Sequence, residues 1–414
     1  MALALTQARR ALRRADFPWN ERIRDPRVPI NLRHGHHGLL SLLAAAFACG
    51  RVCLRRVEDL AEDLGPSARS RLGLSGTPSD SALYQLLARQ APEGLRETLW
   101  AQVHDLERQK RLPRDLFGKG VVSFDGKVFW TSTVQSVDGA KVSVNEEAGV
   151  VTSSLMAVRA VLTSSSARPC LGQKIIGEKT GEAPAFRVLF PEVVREFGHL
   201  FEIVTGDAGL GCRENASVTL GARKHYLFSL KGNQPTLEAA AEELFASRPN
   251  RVLATSREHR SGAVMSRELS AVEVVGHPEV VFPGAKQFWR VVQQSRIGSH
   301  LLSEEVRYFI TDLDAESFGA ERALALVRLH WGIENGANWT MDAVLREDDV
   351  QPCQQRREAI AVISWLRVLG YNLLSAFRAC APKRDRLPQS WARSMERLRD
   401  VLCFGTQGLL ATLG

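Results

Sequence analysis

Several features are missing from this 414-residue sequence. Its seven cysteines (Cys49, Cys53, Cys170, Cys212, Cys353, Cys380 and Cys403) form no CxxC pair, and their number is odd. Zinc ribbons and the disulfide framework of a small secreted domain are therefore not expected, and the thiols read as reduced and intracellular. No continuous apolar run reaches the length of a membrane span. The longest, "GLLSLLAAAFACG", is long enough only for a buried helix. The opening "MALALTQARRALRRADF" has too little apolar length and too much arginine for a secretion signal. Internal repeats and low-complexity tracts are also absent. A cytoplasmic protein with no membrane partner is the expectation.

Hydrophobic residues make up 44% of the chain and charged residues 24%, ordinary proportions for a globular protein with enough length for two or three domains. Charge is less ordinary. The formal net charge is +8 and the pI about 9.3. Residues 1–35 carry eight arginines against three acids, and residues 354–399 carry ten Lys or Arg against three. Basic ends suit a polyanion gripped at several points, although a merely solvated basic surface has the same composition.

Up to about Leu112 the pattern is helical, over Leu39 to Cys49, Leu54 to Leu64, Ser79 to Arg89 and Pro92 to Lys110. "SGTPSDSALYQLLARQ" supplies a turn, a Ser/Asp cap and a helical period. That helix could read DNA or simply belong to a bundle. "RHGHHG" reads as an exposed basic loop rather than a metal site. From Gly118 the texture becomes strand-like in "GKGVVSFDGKVFW" and "SSLMAVRAVLTS". "APAFRVLFPEVVREFG" looks helical, with Pro191 expected to break or open it. "LFEIVTGDAG", "RENASVTLGARK" and "KHYLFSLKGN" then alternate strand, helix and strand, which implies an α/β sheet covered by helices. After the helix "TLEAAAEELFAS", the segments "AVMSRELSAVEVV", "KQFWRVVQQSRI" and "EEVRYFITDL" suggest an antiparallel insertion. Helices return near Glu321 and over Arg357 to Arg378, with a basic tail beyond.

Three acids stand where a sheet enzyme places its chemistry. Asp125 ends the apolar strand "VVSFD", and Asp207 ends "FEIVTGD". Functional groups gather at the carboxyl ends of strands in such sheets. Glu334, in "HWGIENGANWTMDAVLREDDV", projects to the edge of the apolar stripe formed by Leu324, Val327 and Trp331. A carboxylate so placed is costly unless a cation meets it. Each acid alone is as easily a turn or surface residue. Three together repel unless a cation sits among them, and oxygen-only ligands select Mg2+ or Mn2+. The 127 residues between Asp207 and Glu334 leave room for the β-rich insertion.

"SFDGKVF", "VTGDA", "HYLFSLKGNQPTL", "VRYFITDL" and "VRLHWGIENGANWTMDAVLREDD" occur in the order seen in the bacterial insertion-sequence transposases of the ISAs type. That group includes the H-repeat-associated proteins, DDE transposases of RNase H-like fold, and the chain resembles it over most of its length. The resemblance implies an RNase H-like mixed sheet flanked by helices, with a β-rich insertion and a helical N-terminal domain. The units would be a helical, basic DNA-binding domain over 1–115, the catalytic core over 116–235 and 319–380, the insertion over 236–318 and the basic tail over 381–414. It implies that Asp125, Asp207 and Glu334 form a triad holding Mg2+ or Mn2+, two ions in all, for strand cleavage and strand transfer on double-stranded DNA. Lys127, Arg213, Lys231, Asn233, Gln234, Arg328, His330, Trp331 and Asn335 would contact the DNA. A homodimer on DNA and a nucleoid-associated cytoplasmic location follow. Asp342 competes as third metal ligand; Glu347 and Asp348 read as structural charges, and Trp331 and Trp339 as core residues or base-stacking platforms.

The chain also departs from the family pattern. Trp130 stands where an arginine is usual, "GLGCRENA" follows Asp207 in place of a His-x-Gln pattern, and "REHRSGAVMSRE" and "QPCQQRREAIAVISWL" replace two further elements. These departures keep two other readings open: a domesticated DNA-binding protein without turnover, and a nuclease of the same fold that does not join strands. A glycosidase using two carboxylates would leave the basic ends unexplained.

Overall fold

A computed structural model describes residues 17–29, 32–177, 180–248, 251–260, 262–348, 356–379 and 390–411. Residues 1–16 of the basic N-terminal stretch, all of "QPCQQ" with its Cys353, Cys380 and residues 381–389 of the tail lie outside the described residues.

The chain begins with helices α1 (His36–Ala48), α2 (Leu54–Asp63), α3 (Pro66–Arg71), α4 (Asp80–Arg89) and α5 (Leu95–Arg108). α1, apolar on every side, is buried from Gly38 to its end, as such a helix must be. α4 starts at the expected cap, where Ser79 Oγ accepts from the Ala82 amide at 3.2 Å. The "RHGHHG" stretch is a loop only in its first half. His36 opens α1, and its Nε2 lies 2.7 Å from Gln90 Oε1.

Next come β1 (Val121–Ser132), β2 (Lys141–Asn145), β3 (Val150–Leu162), β4 (Cys170–Ile176), α6 (Glu182–Phe197), β5 (Ile203–Gly206), α7 (Arg213–Gly221), β6 (His225–Leu230) and α8 (Pro235–Ser247). α6 runs straight through Pro191, contrary to the expectation of a break. Pro191 lies on the exposed face, where the carbonyl that loses its bond can face solvent. Four further strands follow: β7 (Val252–Arg260), β8 (Ala263–Glu273), β9 (Gln287–Ile297) and β10 (His300–Thr311). The chain continues with α9 (Ala315–Phe318), α10 (Ala320–Gly332), two π-helical turns over Ile333–Asn338 and Thr340–Val344, α11 (Arg357–Ala379) and α12 (Trp391–Ala411). The tail is therefore largely helical where it is described.

All ten strands join one mixed sheet, in the order β2-β3-β1-β5-β6-β10-β9-β8-β7, with β4 also paired to β3. β1, β5 and β6 are parallel, and β3 runs antiparallel to β1. The segment expected as an antiparallel insertion forms an antiparallel meander over β7 to β10. β10 pairs antiparallel with β6, from Tyr308 opposite Leu230 to Thr311 opposite Leu227, so the meander extends the central sheet. This mixed sheet flanked by helices is the α/β class expected. One face is covered by α6, whose Phe186, Phe190 and Val193 pack on Phe124, Val158 and Val204. α10 covers the other, with Leu324, Leu326 and Val327 against Val121, Leu227 and Trp289. α11 is apolar and long enough to cross a membrane by length and composition, but here its apolar window is fully buried as a core helix.

Candidate active site

Strand register brings the first two acids together. β1 and β5 run parallel with Phe124 opposite Gly206. Asp125 and Asp207 are the next residue on each chain, so they emerge side by side from neighbouring strands, whose spacing is about 4.8 Å. Asp125 remains within β1, and its Oδ2 accepts a hydrogen bond from Asn338 Nδ2 at 2.7 Å. At Asp207 the chain turns away. The Leu210 amide donates to Asp207 Oδ1 at 3.2 Å, which fixes that carboxylate over the turn.

Glu334 arrives on the π-helical turn that continues α10. Leu324 and Val327 are buried in the expected stripe, but the helix widens to π geometry at Ile333. Ile333 takes the fully buried position, and Glu334 is exposed along a cleft rather than set against the core. π-helical turns recur at functional sites because they re-aim side chains. The cleft measures about 400 Å3, and its lining includes Asp207, Lys231, Arg307, His330, Trp331 and Glu334.

A fourth acid, Glu182, completes the group and was not anticipated. It opens α6, half-buried, with its carboxylate across Gly126 and Gly209. A Cβ on either glycine would collide with that carboxylate, and Asp207 Oδ1 also lies within 4 Å of the Gly209 position. In sequence Glu182 is an acid in the first turn of a helix, the commonest of placements, so nothing marked it out. Asn338 escaped notice for a similar reason, although it stands one turn after Glu334.

These acids are poorly compensated. Burial, then the nearby charges of Asp207, Glu334 and Glu182, push the Asp125 carboxyl up to about 8. Burial also raises Asp207, Glu182 and Glu334. Glu334, although solvent touches it, is walled in enough to feel this, while Arg307 and Lys231 pull it the other way. Among the described residues no three acid, His or Cys side chains are gathered tightly enough to enclose a metal ion. The donor set nevertheless suits a hard divalent cation: carboxylate oxygens with a proton forced onto one of them, and beside them Asn338 Oδ1, buried without a partner.

The other expected residues are dispersed around this centre. Lys127 Nζ is ion-paired with Asp342 Oδ2 at 2.5 Å, which places Asp342 opposite a lysine. Lys231 is exposed on the cleft wall. Asn233 Nδ2 donates to the Ala208 carbonyl at 2.7 Å, tying the turn after β6 to the turn after β5. Gln234 stands at the N-cap position of α8 without a side-chain capping bond, Arg213 opens α7 on the surface, and Asn335 is exposed beside Glu334. Arg328 faces β7 and pairs with Glu258 at 2.5 Å. His330 is buried, and burial with Arg307 and Lys231 nearby lowers it to about 4, so it brings no positive charge to the cleft at neutral pH. Trp331 is half-buried under the guanidinium groups of Arg307 and Arg267, 4.6 and 5.7 Å from its ring centroid, whereas Trp339 is 49% exposed. Neither arginine was anticipated, because β8 and β10, which carry them, were not known to fold over the cleft.

No family model matches the chain. "H repeat-associated putative transposase YhhI" and "Putative protein YbfL", both of Escherichia coli K12, are each 29% identical over 221 residues, half of this chain and 54% of the relative. "Putative transposase YncI" of Escherichia coli O157:H7 is 25% identical over 222 residues, 49% of this chain and 52% of the relative. The chain thus spans about half the length of the curated relatives it matches. Among solved structures, a piggyBac transposase synaptic complex with hairpin DNA aligns with 98% of this chain and 81% of its own, at 10% identity and a TM-score of 0.48. The resemblance read from the motifs is thus a similarity to proteins named as H repeat-associated transposases over about half of this chain, rather than most of it.

Proposed function

We propose that this chain is a DNA transposase that cleaves and joins strands at the ends of an insertion sequence, with Asp125, Asp207 and Glu334 holding Mg2+ or Mn2+. The observation that supports this most is the register of β1 and β5, which sets two aspartates side by side on neighbouring strands, with Glu334 lining the same cleft as Asp207. Divalent ions bound there, two when DNA is present, would activate the attacking oxygen and stabilise the leaving one. The chain's own contribution is placement. Asn338 steadies Asp125, the Leu210 amide steadies Asp207, and Lys231 and Arg307 offer positive charge to a phosphate entering the cleft. Double-stranded DNA is the proposed partner, gripped by the basic regions of the chain. Bringing two ends together calls for a homodimer on DNA, in the nucleoid of the cytoplasm.

The test is a strand-nicking assay on duplex oligonucleotides carrying the element's terminal repeats. Wild-type protein should nick them only with Mg2+ or Mn2+. Asp207→Ala and Glu334→Ala should each lower the rate at least about a thousandfold while DNA affinity changes little. DNA binding without nicking by wild-type protein would favour the domesticated reading, and nicking without joining would favour the nuclease.

A further inference from the structure

Behind the acids runs a second line of polar side chains, deeper in the core. Ser123, Thr163 and Thr205 are fully buried, and His330 is nearly so. His330 Nδ1 lies 3.1 Å from Thr205 Oγ1, Thr205 Oγ1 2.7 Å from Ser123 Oγ, and Ser123 Oγ 2.9 Å from Thr163 Oγ1. Thr163 Oγ1 ends the chain 3.4 Å from the Val121 carbonyl oxygen. Each hydroxyl has one proton to donate, and the terminal carbonyl can only accept. Donation therefore runs one way, from His330 through Thr205, Ser123 and Thr163 to Val121. The direction requires a proton on His330 Nδ1.

The spacing of this relay repeats that of the acids. Side chains alternate along a strand, so Ser123 shares a face with Asp125, and Thr205 with Asp207. His330 precedes Glu334 by one helical turn. Each carrier of an acid thus holds a relay member one step closer to the core. A buried polar network pays for its desolvation only when every member is satisfied, and in return it admits a single arrangement.

We infer that His330 is a positioning residue whose Nδ1–H bond to Thr205 fixes α10 on β5 and β1, and thereby sets where Glu334 stands relative to Asp125 and Asp207. The sheet alone aligns the two aspartates. Its register does not constrain a helix that crosses from another layer; besides the Asn338–Asp125 bond and the surface Arg328–Glu258 pair, that helix is held by apolar packing of Leu324 and Val327, which tolerates sliding that a buried hydrogen bond does not. Only the consequence for metal binding rests on the function proposed above; the strut itself does not.

The experiment uses the full chain. In protein labelled with 15N-histidine, His330 should show the Nδ1–H tautomer at neutral pH. His330→Leu and the near-isosteric Thr205→Val should raise hydrogen exchange of the amides of residues 333–338 about tenfold or more. Mn2+ affinity, measured by calorimetry on the metal alone, should fall about tenfold, as for other groups that orient ligands from behind. His330→Asn, whose amide sits where Nδ1 does, should recover most of both losses; His330→Gln, which mimics Nε2, should not. An Nε2–H tautomer, unchanged exchange in Thr205→Val, or equal rescue by Gln and Asn would overturn the inference. If wild-type protein binds no Mn2+, the function proposed above fails, while tautomer and exchange still decide for or against the strut.

Discussion

Replacing Asp125 with asparagine should make the metal-free protein more stable, although it removes a residue proposed to be indispensable. The Asp125 carboxyl is pushed up to about 8 by burial and by Asp207, Glu334 and Glu182. Below about pH 4 it is protonated in both folded and unfolded chains and costs nothing. Between about 4 and 8 the unfolded chain releases the proton while the folded protein keeps it, so stability falls as pH rises. Above about 8 the penalty is constant. Each pH unit in that window is worth about 1.4 kcal/mol, which gives about 4 kcal/mol at pH 7. Asparagine escapes the cost and keeps the bond, since its Oδ1 can still accept from Asn338 Nδ2. With an unfolding entropy of about 2 cal/mol/K per residue, that energy corresponds to about 5 °C in melting temperature. The assay is thermal unfolding in EDTA from pH 4.5 to 8. The curves of wild type and Asp125→Asn should converge at the acid end and separate by about 5 °C near neutrality. Mg2+ should then stabilise the wild type with release of a proton, and leave the variant unmoved. Parallel pH profiles for the two proteins would refute the reasoning, because they would mean that Asp125 carries no excess proton.

Two further outcomes are expected. Glu182→Gln should leave a weakened but metal-responsive enzyme, needing roughly tenfold more Mg2+ for half-maximal nicking, since it removes a charge beside Asp207 without removing a proposed ligand; a Mg2+ titration unchanged from wild type would show that Glu182 is a bystander. Glu347 and Arg159 form a fully buried pair with two 2.8 Å bonds, close to the π-helical segment. Glu347→Gln should cost about 3–5 kcal/mol because it strands the arginine's charge, and chemical denaturation would detect it; a midpoint within error of wild type would contradict that.

The fold class could be read from the sequence, and the three acids could be picked out as candidates, because both depend on local order. The strand before Asp207 ends at its Gly-Asp as its pattern states, whereas β1 runs on past Asp125 to Ser132 and the "HWGIEN" segment leaves the α period at Ile333. Local order could not reveal what depends on register between distant segments. That Asp125 and Asp207 are neighbours follows from Phe124 pairing with Gly206, a choice made by the whole sheet. Lys127 is no free cation because Asp342, 215 residues away, reaches back to it. His330, expected beside phosphate, is neutral and tied to Thr205 because α10 settles on β5.

Glu182 and Arg307 show the same limit from the other side. Both are unremarkable in their own segments, one opening a helix and the other in the middle of a strand, yet they face the acids once α6 and β10 are in place. The sequence by itself determined the chemistry on offer: carboxylates, basic ends, and an apolar pattern sufficient for a covered sheet. Only the tertiary structure decided which charges meet, because electrostatic cost and hydrogen bonding act over a few ångströms in space, regardless of separation along the chain.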